Sequence, residues 1–122
     1  MKKGNKVLGN IGEDLASAYL KKNGYNILER NYRFHKNEID IIALKDDILI
    51  FLEIKSRYSL NFGYGEESIT CNKQKQIIKA SKGYIMENKI YNKFIRFDTL
   101  SINFTKNLQD PDFNLIEDAF RL

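Results

Sequence analysis

Residues 37–57, NEIDIIALKDDILIFLEIKSR, contain two apolar runs that are interrupted by acidic and basic residues. The runs EIDIIAL and ILIFLEIKSR flank the polar, turn-prone segment KDD, and this pattern predicts a β-hairpin. Charged side chains are costly inside buried strands unless something compensates for the lost solvation. The charged residues that lie within the two apolar runs include Glu38, Asp40, Glu53 and Lys55.

The register of the predicted hairpin depends on the length of its connection. If the connection is even in length and centred on Asp46 and Asp47, residues at equal distances from this centre pair. Asp40 then lies opposite Glu53 and Glu38 opposite Lys55, with all four side chains on one face because paired residues share a face. The apolar residues predicted on that face are Ile42, Leu44, Leu49 and Phe51. Those predicted on the other face are Ile39, Ile41, Leu52 and Ile54. An odd-length connection would break this register.

The remaining sequence predicts alternating helices and strands around the hairpin. Apolar spacing and capping signals predict helices over 8–22 and from 70 or 72 to 87, with Thr70 or Asn72 as the second N-cap. Runs typical of strands are YNILERNYRF and NKFIRFDTLSINF, and LIEDAF forms a short closing element. The order α-β-β-β-α-β predicts an α/β fold with a mixed sheet flanked by helices. The length of 122 residues predicts one domain over 1–122.

Composition narrows the class of protein and its partners. The only cysteine, Cys71, has no internal partner, and we find neither a signal peptide nor a run long enough to span a bilayer. We therefore expect a cytoplasmic protein that is not bound to a membrane. The net charge of +4 favours a polyanionic partner only weakly, because solvated surface lysines explain it equally well.

Two carboxylates that face each other across neighbouring strands require a nearby cation. Lys55 is one candidate, and a divalent metal with hard oxygen ligands is a better one, which indicates Mg²⁺ or Mn²⁺. The backbone carbonyl of Ile54 would add a further ligand. Such an ion supports phosphodiester hydrolysis, and Lys55 would orient or deprotonate water or stabilise the transition state. The competing interpretation is a structural charge network that pairs Glu38 with Lys55 and Glu53 with Arg57.

Several motifs occur together in an order that resembles a known group of proteins. EIDII followed by FLEIKSR is similar to the PD-(D/E)XK nuclease superfamily. Together with GEDLASAYLKKNGYNILERNYR, FGYGEESITCNKQKQIIKAS and IRFD, these motifs resemble the YraN-like family of small bacterial proteins, which is related to Holliday-junction resolvases. Any single motif is weak because ExK occurs often by chance, but the ordered set is specific. The resemblance implies a restriction endonuclease-like fold.

The resemblance also implies roles for individual residues. Asp40 and Glu53 match the metal-binding acids, Lys55 the motif lysine, and Glu13 a glutamate that approaches the same metal. From the residues alone, Glu13 is an acid that suits an early helical turn. The remaining matches would orient groups or contact phosphate and bound water: Glu38, Arg57, Lys73 and Gln76. The sequence departs from the motif at Ile39, which replaces proline, and at Asn37, which replaces glycine.

Two further groups of residues have interpretations outside this centre. Tyr58, Phe62 and Tyr64 follow the ExK motif and would either stack on bases or fold back onto the core. Asp98 would pair with Arg96 or cap its strand, and we predict no catalytic role for it.

The sequence thus predicts a Mg²⁺- or Mn²⁺-dependent endonuclease that acts on nucleic acid, with structured or branched DNA favoured. Because branched DNA has two-fold symmetry, a resolvase would act as a homodimer. The alternative is a non-catalytic module that keeps the fold and binds nucleic acid or a protein partner. A third interpretation is a structural protein whose charges only pair with one another.

Overall fold

A computed structural model of the chain describes residues 2–57, 69–104 and 111–122, and describes side chains from residue 11 onward. Its elements, in chain order, are α1 (Lys2–Lys22), β1 (Asn26–Phe34), β2 (Asn37–Lys45), β3 (Ile48–Arg57), α2 (Cys71–Asn88), β4 (Phe94–Asn103) and β5 (Asp112–Phe120). The predicted α/β fold with a mixed sheet is confirmed, and a fifth strand, β5, follows the predicted α-β-β-β-α-β order. Tyr58, Phe62 and Tyr64 lie outside the described residues.

The five strands form one sheet in the order β1-β2-β3-β4-β5. Neighbours pair antiparallel except β3 and β4, which are parallel and are connected through α2. The segment LIEDAF, predicted as a short closing element, is part of the nine-residue strand β5 at the sheet edge. No helix among the described segments combines the length and the apolar character that a membrane crossing requires.

The two helices end and begin where local chemistry favours it. Lys21 and Lys22 occupy the last turn of α1, and Gly24 follows with a φ of 89°, which suits a left-handed helix end. α1 begins at Lys2, six residues before the predicted start at residue 8. The prediction started too late because the first residues carry no apolar stripe that would indicate a helix. In α2 the Thr70 hydroxyl accepts a hydrogen bond from the Lys73 N–H at 3.2 Å, so one of the two predicted N-caps is confirmed.

The β2–β3 hairpin turns through Asp46 and Asp47. Their φ angles are 53° and 63°, and positive φ at both central residues is the mark of a two-residue type I′ turn. The strands pair as predicted from Lys45 with Ile48 to Ile41 with Leu52. The even-length connection is therefore confirmed.

The predicted pattern fails at the open end of the hairpin. The backbone ladder extends only to Ile41 and Leu52, and the next link is the Ile54 N–H, which donates to Asp40 Oδ2 at 2.8 Å. Because the β2–β3 ladder does not reach Glu38 and Lys55, their predicted pairing is wrong, and the ladder partner of Glu38 is Arg33 of β1. Ile39 packs in the same core layer as Ile42, not in the opposite layer. This change of face interrupts the predicted alternation at Asp40.

The sheet separates two apolar layers. Between the sheet and α2 lies a layer that includes Ile42, Phe51, Ile77, Tyr84 and Phe97. Between the sheet and α1 lies a layer that includes Ala16, Leu20, Ile41, Leu52 and Leu100. Both faces of the central strands are thus buried.

Candidate metal centre

Asp40 and Glu53 bring two carboxyl groups together where the β2–β3 ladder ends. Asp40 Oδ2 accepts the Ile54 N–H at 2.8 Å, which fixes one oxygen of this carboxyl group. The two carboxyl groups also interact electrostatically, since the charge of Glu53 adds to the larger effect of burial in raising the pKa of Asp40. The predicted backbone pair of Asp40 with Glu53 is not formed. The Ile54 N–H, one residue after Glu53, bonds to the Asp40 side chain in its place.

The pair holds a proton more tightly than an exposed acid does. Burial and then the charge of Glu53 raise the pKa of Asp40 from its ordinary 3.8 to about 7. Burial also raises the pKa of Glu53, whose side chain is only 13% exposed. Since two adjacent carboxylates cannot both ionise at low cost, they share a proton near neutral pH unless a cation replaces it.

Two lysines approach Glu53 from different elements. Lys73, in the first turn of α2, places Nζ 3.8 Å from Glu53 Oε2, and its charge lowers the pKa of Glu53. Lys55 lies two residues after Glu53 on the same face of β3 and has the same effect to a smaller extent. Lys73 is 39% exposed at this contact, so its amine can reach solvent or a ligand.

Glu13 lies near the pair but is held by β1. Its Oε1 accepts a hydrogen bond from Asn31 Nδ2 at 3.2 Å and lies 3.6 Å from Arg30 Nη2. Its charge still raises the pKa of Asp40, which shows that the two acids interact. Neither Arg30 nor Asn31 was predicted as part of the site. The only sequence signal was that asparagine tolerates the left-handed conformation that Asn31 adopts, with a φ of 55°.

A glycine lets α1 approach β3 beside Glu13. A β-carbon at Gly12 would lie 2.3 Å from Ser56 Oγ, which is much closer than atoms of this kind approach without a shift. A side chain at Gly12 would therefore require the Ser56 hydroxyl to turn away, while the Ser56 Cβ at 3.5 Å would be in ordinary contact.

The other predicted site residues occupy the rim. Glu38 Oε2 lies 3.6 Å from Arg33 Nη2, and the charge of Glu38 raises the pKa of both Asp40 and Glu53. Gln76 is exposed on α2, one turn after Lys73, and Arg57 is half-buried at the end of β3. Of these rim residues, Glu38 thus has a direct electrostatic effect on both members of the acid pair.

The donor set fits a hard divalent cation in part. Asp40 and Glu53 supply adjacent carboxylate oxygens, as Mg²⁺ or Mn²⁺ sites require, and such ions complete their shell with water and phosphate. Within the described ranges, no three acidic, histidine or cysteine side chains are already arranged to hold a metal ion. Both contacts of Glu13 use Oε1, so Glu13 would become a third ligand through Oε2 or by leaving Arg30 and Asn31.

Comparison with known proteins assigns the chain to a family. The model of the Uncharacterised protein family UPF0102 matches residues 12–102. A UPF0102 protein of Clostridium perfringens is 50% identical over 122 residues, and the alignment covers 100% of both chains. UPF0102 proteins of Chloroherpeton thalassium and Clostridium tetani are each 45% identical, over 96% and 97% of this chain and 95% and 97% of their own lengths.

These relatives are bacterial proteins of similar length to this chain, and they bear out the resemblance to a small bacterial family that the motifs indicated. The relationship to PD-(D/E)XK nucleases stays a prediction. The chain belongs to the Uncharacterised protein family UPF0102.

Proposed function

We propose that this protein is a Mg²⁺- or Mn²⁺-dependent nuclease that hydrolyses phosphodiester bonds in nucleic acid, with structured or branched DNA as its substrate. The observation that carries the proposal is the hydrogen bond from the Ile54 N–H to Asp40 Oδ2 at 2.8 Å, which holds this carboxyl group against the strand that carries Glu53 and Lys55. The EID and ExK motifs that contain these residues support a place in the PD-(D/E)XK superfamily, near Holliday-junction resolvases.

The acids would hold the ion, with help from their neighbours. Asp40 and Glu53 would release their shared proton on binding and supply one oxygen each, and the Ile54 carbonyl and Glu13 are the further ligands proposed. The bound ion would neutralise phosphate charge and make its coordinated water acidic. The Ile54 N–H holds Asp40 in place throughout, because its bond at 2.8 Å uses only one carboxyl oxygen.

The lysines would act on the phosphate and on water. Lys55 would orient the attacking water or stabilise the negative charge that develops on the phosphoryl oxygens. Lys73 already balances Glu53 and is exposed enough to contact a phosphate. Gln76 would bind water next to Lys73, since residues three apart on a helix are neighbours. Arg57 would contact phosphate, and Glu38 would orient the pair.

The test is a cleavage assay on four-way, flapped and single-stranded DNA and on RNA, with Mg²⁺ or Mn²⁺. We expect metal-dependent cleavage by the wild type and a loss of at least about a hundredfold in Asp40→Asn and Lys55→Met. Asp46→Asn and Lys79→Met are matched controls, because they make the same chemical changes at positions away from the pair.

Two results would count against the proposal. Cleavage that survives in purified Asp40→Asn and Lys55→Met would belong to another site or to a contaminant. Calorimetry that detects no binding of Mn²⁺ to the wild type, even with DNA present, would remove the metal centre.

A non-catalytic binding module is the second candidate. The position of Glu13 favours it, because the Glu13 carboxylate is hydrogen-bonded to Asn31. Only the Asp40 and Glu53 carboxylates then remain as metal ligands, where the motif implies three. Such a module would shift the mobility of DNA, with affinity falling steeply as salt rises, and would leave every strand intact in both metals.

The proposed action on branched DNA has a consequence for assembly. Symmetric cleavage of a two-fold junction requires two active sites, so we propose a homodimer on that substrate. Sedimentation of the protein with and without a four-way junction distinguishes one bound copy from two.

A further inference from the structure

The sheet has different chemistry on its two faces where β3, β4 and β5 lie side by side. On the α1 side β4 and β5 stay apolar towards this end of the sheet, with Ile102, Phe104, Phe113 and Leu115 in the core layer. On the α2 side the apolar layer ends in a row of stacked rings: Phe51, Phe97 and Phe120. Beyond this row the same face becomes polar on β3 and β4, and on β5 it becomes polar after Ile116.

Strand register places these polar residues beside the candidate centre. Residues that are Cα partners across neighbouring strands have side chains on the same face. The pairing of β4 with β3 and with β5 defines three rows beyond the phenylalanine residues. The first row is Glu53–Thr99–Ile116. The second row is Lys55–Ser101–Asn114. The third row is Arg57–Asn103–Asp112. We call the second and third rows together the polar sheet face.

The second row is open to solvent and rises in exposure away from the centre. Lys55 and Ser101 are half-buried and Asn114 is exposed. With neighbouring strands about 4.8 Å apart, the row from Lys55 to Asn114 extends about 10 Å. This length matches one or two nucleotides of a strand whose phosphate lies at the acid pair.

One member of the third row has an unused hydrogen-bonding atom. Asn103 is only 6% exposed, and its Oδ1 has no hydrogen-bond partner among the described residues. A buried acceptor without a partner is unfavourable in a folded protein, and a bound donor removes this penalty. Sugar hydroxyls and base amino groups are donors of this kind, and because Oδ1 itself is buried, the Asn103 side chain would have to turn outward to meet them.

We propose that the polar sheet face binds the segment of a nucleic-acid strand that adjoins the scissile phosphate. The inference rests on the proposed function, because it assigns the acid pair and Lys55 to the same phosphate. Ser101 and Asn114 donate to phosphate oxygens, and Asn103 accepts from a sugar or base. These are positioning residues, since neutral hydroxyl and amide groups fix a strand on a protein without reading its sequence.

Charge and continuity favour a nucleic-acid strand as the occupant of this face. The face begins at the candidate centre, without an intervening apolar row, and Lys55 and Arg57 give its near edge two positive charges. The acid of the set, Asp112, is exposed at the far edge on β5. A strand that enters at Lys55 therefore meets cations first and neutral donors next.

The test measures binding separately from cleavage. Fluorescence anisotropy follows a fluorescein-labelled flapped DNA in Ca²⁺, which takes the same oxygen ligands as Mg²⁺. We expect the double variant Ser101→Ala/Asn114→Ala to bind about tenfold more weakly than the wild type, because two hydrogen bonds are lost. Asn92→Ala, an exposed asparagine ahead of β4, should bind like the wild type.

Salt dependence separates neutral contacts from charge. The double variant should keep the wild-type slope of log affinity against log salt, because neutral donors release no counterions. Lys55→Met should reduce the magnitude of that slope by about one unit. A reduced slope in the double variant would overturn the assignment of Ser101 and Asn114 as neutral contacts.

A second variant guards against a folding defect. Asn103→Leu keeps the side-chain size and removes the unpaired acceptor, so the melting temperature should be equal or higher while binding weakens. If the wild type cleaves the DNA and the variants bind it as tightly as the wild type does, the proposed role of the polar sheet face is wrong. The proposed metal centre is unaffected by that result. A wild type that neither binds nor cleaves this DNA would overturn both.

Discussion

At the scale of the residue, Asp40 has a carboxyl group that the fold favours in its protonated form. Burial, and next the charge of Glu53, raise its pKa from 3.8 to about 7. Below the lower value both the folded and unfolded states hold the proton. Between the two values the unfolded chain releases the proton while the folded protein keeps it, so stability falls as pH rises and levels off above about 7. An ion bound at neutral pH would reverse this loss.

Asp40→Asn should therefore stabilise the metal-free protein. The carbonyl of the substituted side chain can still accept the Ile54 N–H, and its amide can donate to Glu53, so the contacts persist without the buried charge. We expect a gain of roughly 2 kcal/mol at pH 8 and little change near pH 4, measured by urea denaturation in EDTA. Asp46→Asn in the exposed turn should show no such pH-dependent gain. If Asp40→Asn is no more stable than the wild type at pH 8, burial does not penalise the charge.

At the scale of the element, the hairpin shows how far periodicity predicts structure. Turn chemistry at Asp46 and Asp47 and the alternation of apolar residues were enough to predict the register near the turn. They could not predict that the Asp40 side chain would accept a hydrogen bond from the Ile54 N–H. That bond forms because the backbone ladder between β2 and β3 ends at Ile41 and Leu52. The exchange of faces at Ile39 has the same origin, since alternation holds only while the ladder is regular.

Other parts of the candidate site depended on contacts between distant elements. Lys73 was matched through a motif, but its approach to Glu53 requires α2 to begin beside the end of β3. The hydrogen bond from Asn31 to Glu13 joins β1 to α1. Such a contact between distant residues produces no local sequence pattern from which it could be predicted. Strand β5 was not predicted as an edge strand, because most of its residues are exposed and its apolar alternation is weak. The polar sheet face was therefore not predicted either.

The turn itself offers a test of why the hairpin keeps its register. Asp46 has a φ of 53°, which alanine adopts at a cost of about 1 kcal/mol and glycine adopts freely. Asp46→Ala should therefore lower the free energy of unfolding by about 1 kcal/mol relative to Asp46→Gly. The matched pair removes the same carboxylate, so any charge effect cancels. Equal stability of the two variants in urea would mean that positive φ at this turn carries no cost.

At the scale of the whole molecule, Asp98 connects parts of the chain that are far apart in sequence. Its carboxylate is completely buried. Oδ1 accepts from Arg96 Nε at 2.8 Å and from the Asp118 N–H at 2.9 Å, while Oδ2 accepts from Arg96 Nη2 and Tyr25 O–H, each at 2.9 Å. The predicted pairing with Arg96 is present, and the bonds to Tyr25 and Asp118 add the start of β1 and the end of β5.

Loss of this carboxylate should therefore destabilise the sheet as a unit. In Asp98→Asn, the amide nitrogen would face donors at one of the two oxygen positions, and Arg96, whose side chain is 21% exposed, would lose its buried counter-charge. We expect a loss of about 3 kcal/mol in urea denaturation, and about 1 kcal/mol for Tyr25→Phe, which removes one hydrogen bond.

Hydrogen exchange distinguishes a shared connection from a local contact. Because the Asp118 N–H donates to Asp98, Asp98→Asn should raise the exchange of amides in β4 and β5 together, with the start of β1 affected as well. Asp118→Asn is the control, since the exposed pair of Asp118 with Arg121 should contribute little. Faster exchange confined to the Asp118 amide would mean that Asp98 supports only its nearest neighbour and that the sheet does not depend on it.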